Sequence, residues 1–273
     1  MIQDIYPSKL DNSFIDRRPS PEDPLLLLDE KGRLLAEITE GQIRFPKAAE
    51  VTAEDAVYLF SVDERPYFLA LGEASCTNAA YGWYTIRELR DLGGGKELFA
   101  AFTAYHLWKW YDDNRFCGKC RAPLSVHNAE RVLKCEGCGN MIYPRINPAV
   151  IVGVIKGNSL LITRYNRGYA HNALVAGFTE IGETLEETVA REVMEETGVS
   201  VKNIRYYKSQ PWGMAQDILV GFYCDADGEA VIHRDTNELT YAEWVERDQI
   251  ELQPNSLSLT NEMMRMFKEG KIR

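Results

Sequence analysis

Residues Gly177 to Val199 read GFTEIGETLEETVAREVMEETGV, and no other stretch restricts the fold as strongly. Seven positions in it are dictated: Gly177, Glu183, Arg191, Glu192, Glu195, Glu196 and Gly198. From average residue usage, such an array arises by chance in a chain this long on the order of once in a million. Thr184-Leu185-Glu186-Glu187 is a capping box, so a helix is predicted to begin at Leu185. Leu185, Val189 and Val193 recur at four-residue spacing and supply its apolar stripe. Gly198 is placed to end it in a left-handed position. Glu192 and Glu196 fall one turn apart on one face with Glu195 beside them, and like charges so placed cost a few tenths of a kcal/mol per pair. A divalent cation turns that repulsion into attraction. Mg²⁺ suits the site, because it takes carboxylate oxygens and substrate phosphates while keeping several waters. A merely solvated acidic face explains neither the glycines nor Arg191.

The second organised feature is Cys117-x-x-Cys120 and Cys135-x-x-Cys138, with fourteen residues between the pairs. Two such pairs at this separation are a zinc signature. Four thiolates close a tetrahedron with no open position, so the site is structural. Structural zinc contributes on the order of 10–16 kcal/mol in small peptides, enough to fold a short ribbon with little core. Two disulfides are the alternative, and a chain without a secretion signal argues against them. Cys76 and Cys224 stand outside the pattern and read as packing residues.

The 273 residues suggest two domains and a small insert. A net charge of -10 disfavours broad attraction to nucleic acid or anionic membrane. The N-terminus has no apolar core of a secretion signal, and Leu25–Leu28 is too short to span a bilayer, so a cytoplasmic protein is expected. In a first domain, residues 1–110, two hairpins are predicted: Leu25–Leu28 with Leu34–Ile38, and Ala56–Phe60 with Tyr67–Leu71 around Asp63–Pro66. Helices follow at Tyr84–Leu92 and Leu98–Trp110, and His106 reads as a packing residue. The ribbon occupies 111–145. From 146 to 273, strands are predicted at Pro148–Ile155, Ser159–Thr163, Val201–Lys208, Ile218–Tyr223 and Glu229–His233, with an edge strand at Glu238–Val245. Asn255 or Ser256 is expected to cap a last helix, about Ser258–Glu269.

The stretch 177–199 resembles, position for position, the Nudix box of the Nudix hydrolases. With the ribbon before it and Ser209-Gln210-Pro211-Trp212 after it, the chain is similar to the NADH pyrophosphatases from Cys117 to its end. The resemblance implies an α/β protein: a Nudix α/β/α sandwich preceded by a zinc ribbon and an N-terminal α+β domain. It implies catalytic Mg²⁺ or Mn²⁺ and structural Zn²⁺. Its metal site would comprise Glu192, Glu196, Glu238 and the carbonyl of Ala176. Glu195 or Glu196 would help deprotonate the attacking water, with Arg191 orienting the glutamates. Glu130 and Tyr143 match substrate-contact positions, though both also suit ordinary surface or packing roles. Gln210, Pro211 and Trp212 match the SQPWPFPxS array of the family, with Trp212 and Tyr143 as stacking candidates. Gly213, Met214, Ala215, Gln216 and Asp217 depart from it, and Asp217 puts a negative charge where the family has a hydroxyl.

The implied reaction is hydrolysis of the diphosphate bond of NAD(H) to nicotinamide mononucleotide and AMP, with NAD-capped RNA 5′ ends as a related substrate and a homodimer as the assembly. Hydrolysis of ADP-ribose or another nucleoside diphosphate is the alternative. A nucleotide sensor would need a DNA-reading helix-turn-helix, and none is visible. An RNA-binding ribbon would need more aromatic residues for stacking.

Overall fold

A computed structural model describes residues 1–166 and 171–272. They divide into two units: residues 3–145 with 213–216, and residues 1–2, 146–212 and 217–273. No helix among them is long and apolar enough to cross a membrane.

In the first unit, β1 (Leu10–Asp11) and β2 (Leu25–Leu26) flank a long antiparallel hairpin, one on each side. Between them in sequence come β3 (Leu34–Thr39) and β4 (Gln42–Arg44). The hairpin is β5 (Val51–Val62) and β6 (Arg65–Cys76); it turns on Asp63 and Glu64 alone, both at positive φ, rather than over four residues. The expected pairing of 25–28 with 34–38 is corrected. Leu25 and Leu26 run parallel to β6, and β3 lies between β4 and β7 (Gly82–Tyr84). At its turn end the expected pairing is kept: an isolated bridge joins Leu28 to Leu34, and Leu35 N–H donates to the Leu27 carbonyl at 3.0 Å. The apolar run was legible, but its partner lies forty residues on.

A capping box of Thr85 and Glu88 starts α1 (Ile86–Leu92), and α2 (Gly95–Asp113) follows. His106 Nε2–H donates to the Arg145 carbonyl, 2.8 Å away. The ribbon is a small sheet of β8 (Leu124–Val126), β9 (Leu133–Cys135) and β10 (Met141–Ile142).

The second unit is built on β11 (Asn147–Lys156), which hairpins into β12 (Ser159–Tyr165) and also pairs with β13 (Val175–Phe178). Next come α3 (Leu185–Thr197), β14 (Val201–Trp212), β15 (Asp217–Ala226), β16 (Leu239–Glu246) and α4 (Leu259–Lys268). The sheet runs β14-β15-β11-β12-β16, with β11 and β15 parallel. Alternation along the strands makes two cores. Val150, Val152, Val154, Val220, Phe222 and Cys224 meet Val189 and Val193 of α3. On the opposite face Gly221 and Tyr223 meet Met263 of α4. The result is the α/β/α sandwich.

Two local expectations fail. Residues 229–233 form no strand, because their backbone turns to the carbonyls at the end of α3: His233 N–H donates to Thr197 and, beyond it, Asp235 N–H to Glu196. The last helix is capped by Ser258, which accepts from Asn261 N–H, not by Asn255 or Ser256.

Candidate active site

The loop and helix 177–199 fold by the local rules written into them. Thr184 accepts from Glu187 N–H and Glu187 returns the bond, so α3 starts at Leu185. Gly198 ends it at φ 69°, in the left-handed region. Val189 and Val193 are fully buried, each contributing roughly 1.5–3 kcal/mol. That burial turns Glu196 inward too.

Arg191 ties the loop to the helix. Its guanidinium donates to both oxygens of Glu183, to Glu192 Oε1 at 2.7 Å, to Glu195 Oε2 at 3.0 Å and to the Phe178 carbonyl at 2.9 Å. Five N–H groups thus meet five acceptors, as only an arginine could supply. Its bonds hold Glu183 down at about 2, helped by the Glu180 N–H and the Thr188 hydroxyl. Arg191 is therefore consumed by structure, in keeping with the orienting role expected of it.

The glutamates separate by environment. Glu195 is more than half exposed, on the Arg191 side. Glu196 is 2% exposed. Burial, with the charges of Glu192 and Glu238 behind it, pushes Glu196 up to about 8 against the pull of a hydrogen bond from Tyr165. Burial also raises Glu192, opposed by Arg191 and reinforced by Glu195 and Glu238. Glu238, just before β16, is thus felt by both. Gly177 makes room for this cluster, since a Cβ there would lie 1.9 Å from the Glu192 carboxyl carbon.

Sequence reasoning missed Tyr165. Its hydroxyl donates to Glu196, 3.1 and 3.2 Å from the two oxygens, and accepts from Ala176 N–H at 3.0 Å. Burial, then the Glu196 charge, keeps the phenol protonated. The available signal was weak: a tyrosine closing an apolar strand reads as core.

Buried Glu196, half-buried Glu192 and exposed Glu238 offer only oxygen donors, a chemistry that fits a hard divalent cation. The cysteines form a different set. All four sulfurs lie within 4.8 Å of one another. Cys117 and Cys138 are 3.7 Å apart and Cys120 and Cys135 3.3 Å, too far for disulfides and suited to sharing a metal ion. The two knuckles repeat each other: Arg121 N–H donates to the Cys117 carbonyl as Gly139 N–H does to that of Cys135, and both residues have positive φ.

The segment after the box forms the end of β14, a turn and the start of β15. Gln210 is fully buried, and both ends of its amide are taken by backbone: it donates to the Leu257 carbonyl and accepts from Leu259 N–H. It holds the start of α4. Trp212, two residues on along β14, turns inward with it and is 9% exposed, while Pro211 between them faces out. Gly213, Met214, Ala215 and Gln216 are the hairpin turn between β14 and β15 and count with the first unit, where a Cβ on Gly213 would lie 2.0 Å from the Phe102 carbonyl of α2. Asp217 opens β15, 6% exposed, and burial raises it to about 6. Glu130 and Tyr143 belong to the first unit, both exposed.

The family pattern described as the NUDIX domain matches residues 145–267. Over 173 residues the chain is 42% identical to a Klebsiella pneumoniae (strain 342) protein named NAD-capped RNA hydrolase NudC, covering 62% of this chain and 66% of that one. A Salmonella typhi protein of the same name is 39% identical with the same coverage. The chain spans 66% of the length of these curated relatives. A crystal structure of a NUDIX hydrolase from Nitrosomonas europaea is similar at 20% identity and a TM-score of 0.49, covering 57% of this chain and 91% of that one. Residues 145–267 of the chain are a NUDIX domain.

Proposed function

We propose that this protein hydrolyses the diphosphate bond of NAD(H) to nicotinamide mononucleotide and AMP, and that it also acts on NAD-capped RNA 5′ ends, the substrate named for its relatives. The observation that carries the reading is Glu196: a carboxylate 2% exposed, facing two more acids, is costly unless a cation and a phosphate chemistry use it.

Glu192, Glu196, Glu238 and the Ala176 carbonyl would hold Mg²⁺ or Mn²⁺. When bound, such an ion neutralises diphosphate charge and lowers the pKa of a water. Glu195 or Glu196 takes the proton from the attacking water, a role typically worth about 10²–10⁴-fold. Arg191 keeps Glu192 and Glu195 in place, and Tyr165 orients Glu196. Cys117, Cys120, Cys135 and Cys138 would hold a structural Zn²⁺ that fixes the ribbon, residues 111–145. Exposed Tyr143 is the ring proposed to stack on a base. A cytoplasmic homodimer is the proposed working form.

A product screen tests this: NADH, NAD⁺, ADP-ribose and NAD-capped RNA, each with Mg²⁺ and with Mn²⁺. Mononucleotide products from NADH, lost in Glu196→Gln, are expected. Turnover of ADP-ribose alone would move the assignment to the other nucleoside diphosphates.

A further inference from the structure

The end of β12 touches Glu196, Ala176 and the backbone of Glu238, three of the groups assigned above to the cation. Leu161, Thr163 and Tyr165 alternate onto the α3 face of the sheet, the first two buried. Between Arg164 and Tyr165 the register with β16 slips: Arg164 faces Tyr241, but Tyr165 faces Leu239. The slip carries Tyr165 past the regular ladder, toward Glu196 and β13. There its hydroxyl bonds both Glu196 oxygens, receives Ala176 N–H, and lies 3.4 Å from the Ala176 carbonyl. Asn166 follows it. Its N–H donates to the Glu238 carbonyl at 2.8 Å, and its side-chain amide donates to the carbonyls of Thr236 and Asn237 at 2.9 and 2.8 Å. One dipeptide therefore holds three chain segments that are remote in sequence.

We propose that Tyr165 and Asn166 are positioning residues, which together set the spacing of the Ala176 carbonyl, the Glu196 carboxylate and the Glu238 segment for a divalent cation. The proposal rests on the reading that these groups bind the ion. A carboxylate with no partner on its far side rotates, and a carbonyl on an unpinned peptide tilts; the phenol prevents both at once. Groups that orient ligands in this way are typically worth about 10–100-fold in metal affinity or activity.

The test compares wild type, Tyr165→Phe, Asn166→Ala and Glu196→Gln, all with unchanged zinc content as the check on folding. Binding of Mn²⁺ to protein alone is followed by loss of the free-ion electron paramagnetic resonance signal, and kcat and KM are measured with NADH. Tyr165→Phe removes one oxygen and keeps the ring. Asn166→Ala changes an exposed side chain, and so stands in if Tyr165→Phe does not fold. The expected result is Mn²⁺ binding weakened about tenfold in each, with kcat down about tenfold at saturating Mn²⁺ and KM changed by less than about threefold. Wild-type Mn²⁺ affinity and kcat in both variants, while Glu196→Gln loses Mn²⁺, overturn the proposal alone. Wild-type Mn²⁺ affinity in Glu196→Gln overturns the underlying reading and the proposal with it.

Discussion

The ribbon brings four cysteine sulfurs within 4.8 Å of one another. The acids around α3 do not close to that spacing among the described residues; they are kept apart by Arg191 on one side and Tyr165 on the other. The ribbon needs nothing but its own knuckles, since each pair is held by backbone bonds four residues long. The acidic site instead recruits a loop, a helix and three strands. Four soft ligands leave a closed, structural site, whereas separated oxygens leave room for water and a phosphate group. Anionic crowding alone therefore says little; the neighbours that hold the anions decide between stability and chemistry.

The largest expected effect tests the closed half of that contrast. Metal analysis should find about one tightly held zinc per chain, and Cys117→Ser should lose it together with protease resistance of residues 111–145, since structural zinc carries on the order of 10 kcal/mol. Zinc-free protein with paired disulfides by mass spectrometry would refute the assignment. Next in size, Glu196→Gln should keep the fold and lower kcat on NADH by about a hundredfold or more, some 2.7 kcal/mol of barrier. A variant that turns over near the wild-type rate breaks the open half.

The third prediction concerns pH in protein freed of divalent cations other than zinc. Glu196 has its folded pKa raised from 4.5 to about 8, so the folded state binds the extra proton between those values. Stability is then full below pH 4.5 and falls as pH rises toward 8, by up to a few kcal/mol. Melting curves across pH 5 to 8 should show the decline, and Glu196→Gln should flatten it. Equal slopes in the two proteins would mean that Glu196 is not the strained acid.

The smallest effect belongs to Asp217, an acid outside both clusters. Its Oδ1 is buried without a hydrogen-bond partner among the described residues, and burial lifts it from 3.8 to about 6. Asp217→Asn should raise stability at pH 7.5 by about 1–2 kcal/mol in urea unfolding. A destabilised variant would show that the charge is wanted there.

Much of this was legible because it is local. Thr184, Glu187 and Gly198 act within one helix, and the cysteine pairs act within one knuckle each, so spacing alone revealed them. What stayed hidden depends on distant chain. Tyr165 gains its role from a register slip against β16 and from a hydroxyl reaching β13, neither visible in an apolar strand. Residues 229–233 look strand-forming, yet α3 had unpaired carbonyls to offer them. The bonds of Gln210 to the start of α4 also join distant segments, and no sign of them is visible in the sequence.

The contact between Gly177 and Glu192 constrains how this sequence can evolve. An alanine at 177 collides with the carboxyl group at 192 unless that side chain first retreats. A shortened acid at 192 retreats, but it also withdraws from the proposed cation site while 177 is still glycine. In a double-mutant cycle Gly177→Ala and Glu192→Asp should together cost less activity than the sum of their separate losses; additive losses would remove the coupling. Either single step is expected to lose activity, which would tie the two positions together as the sequence drifts.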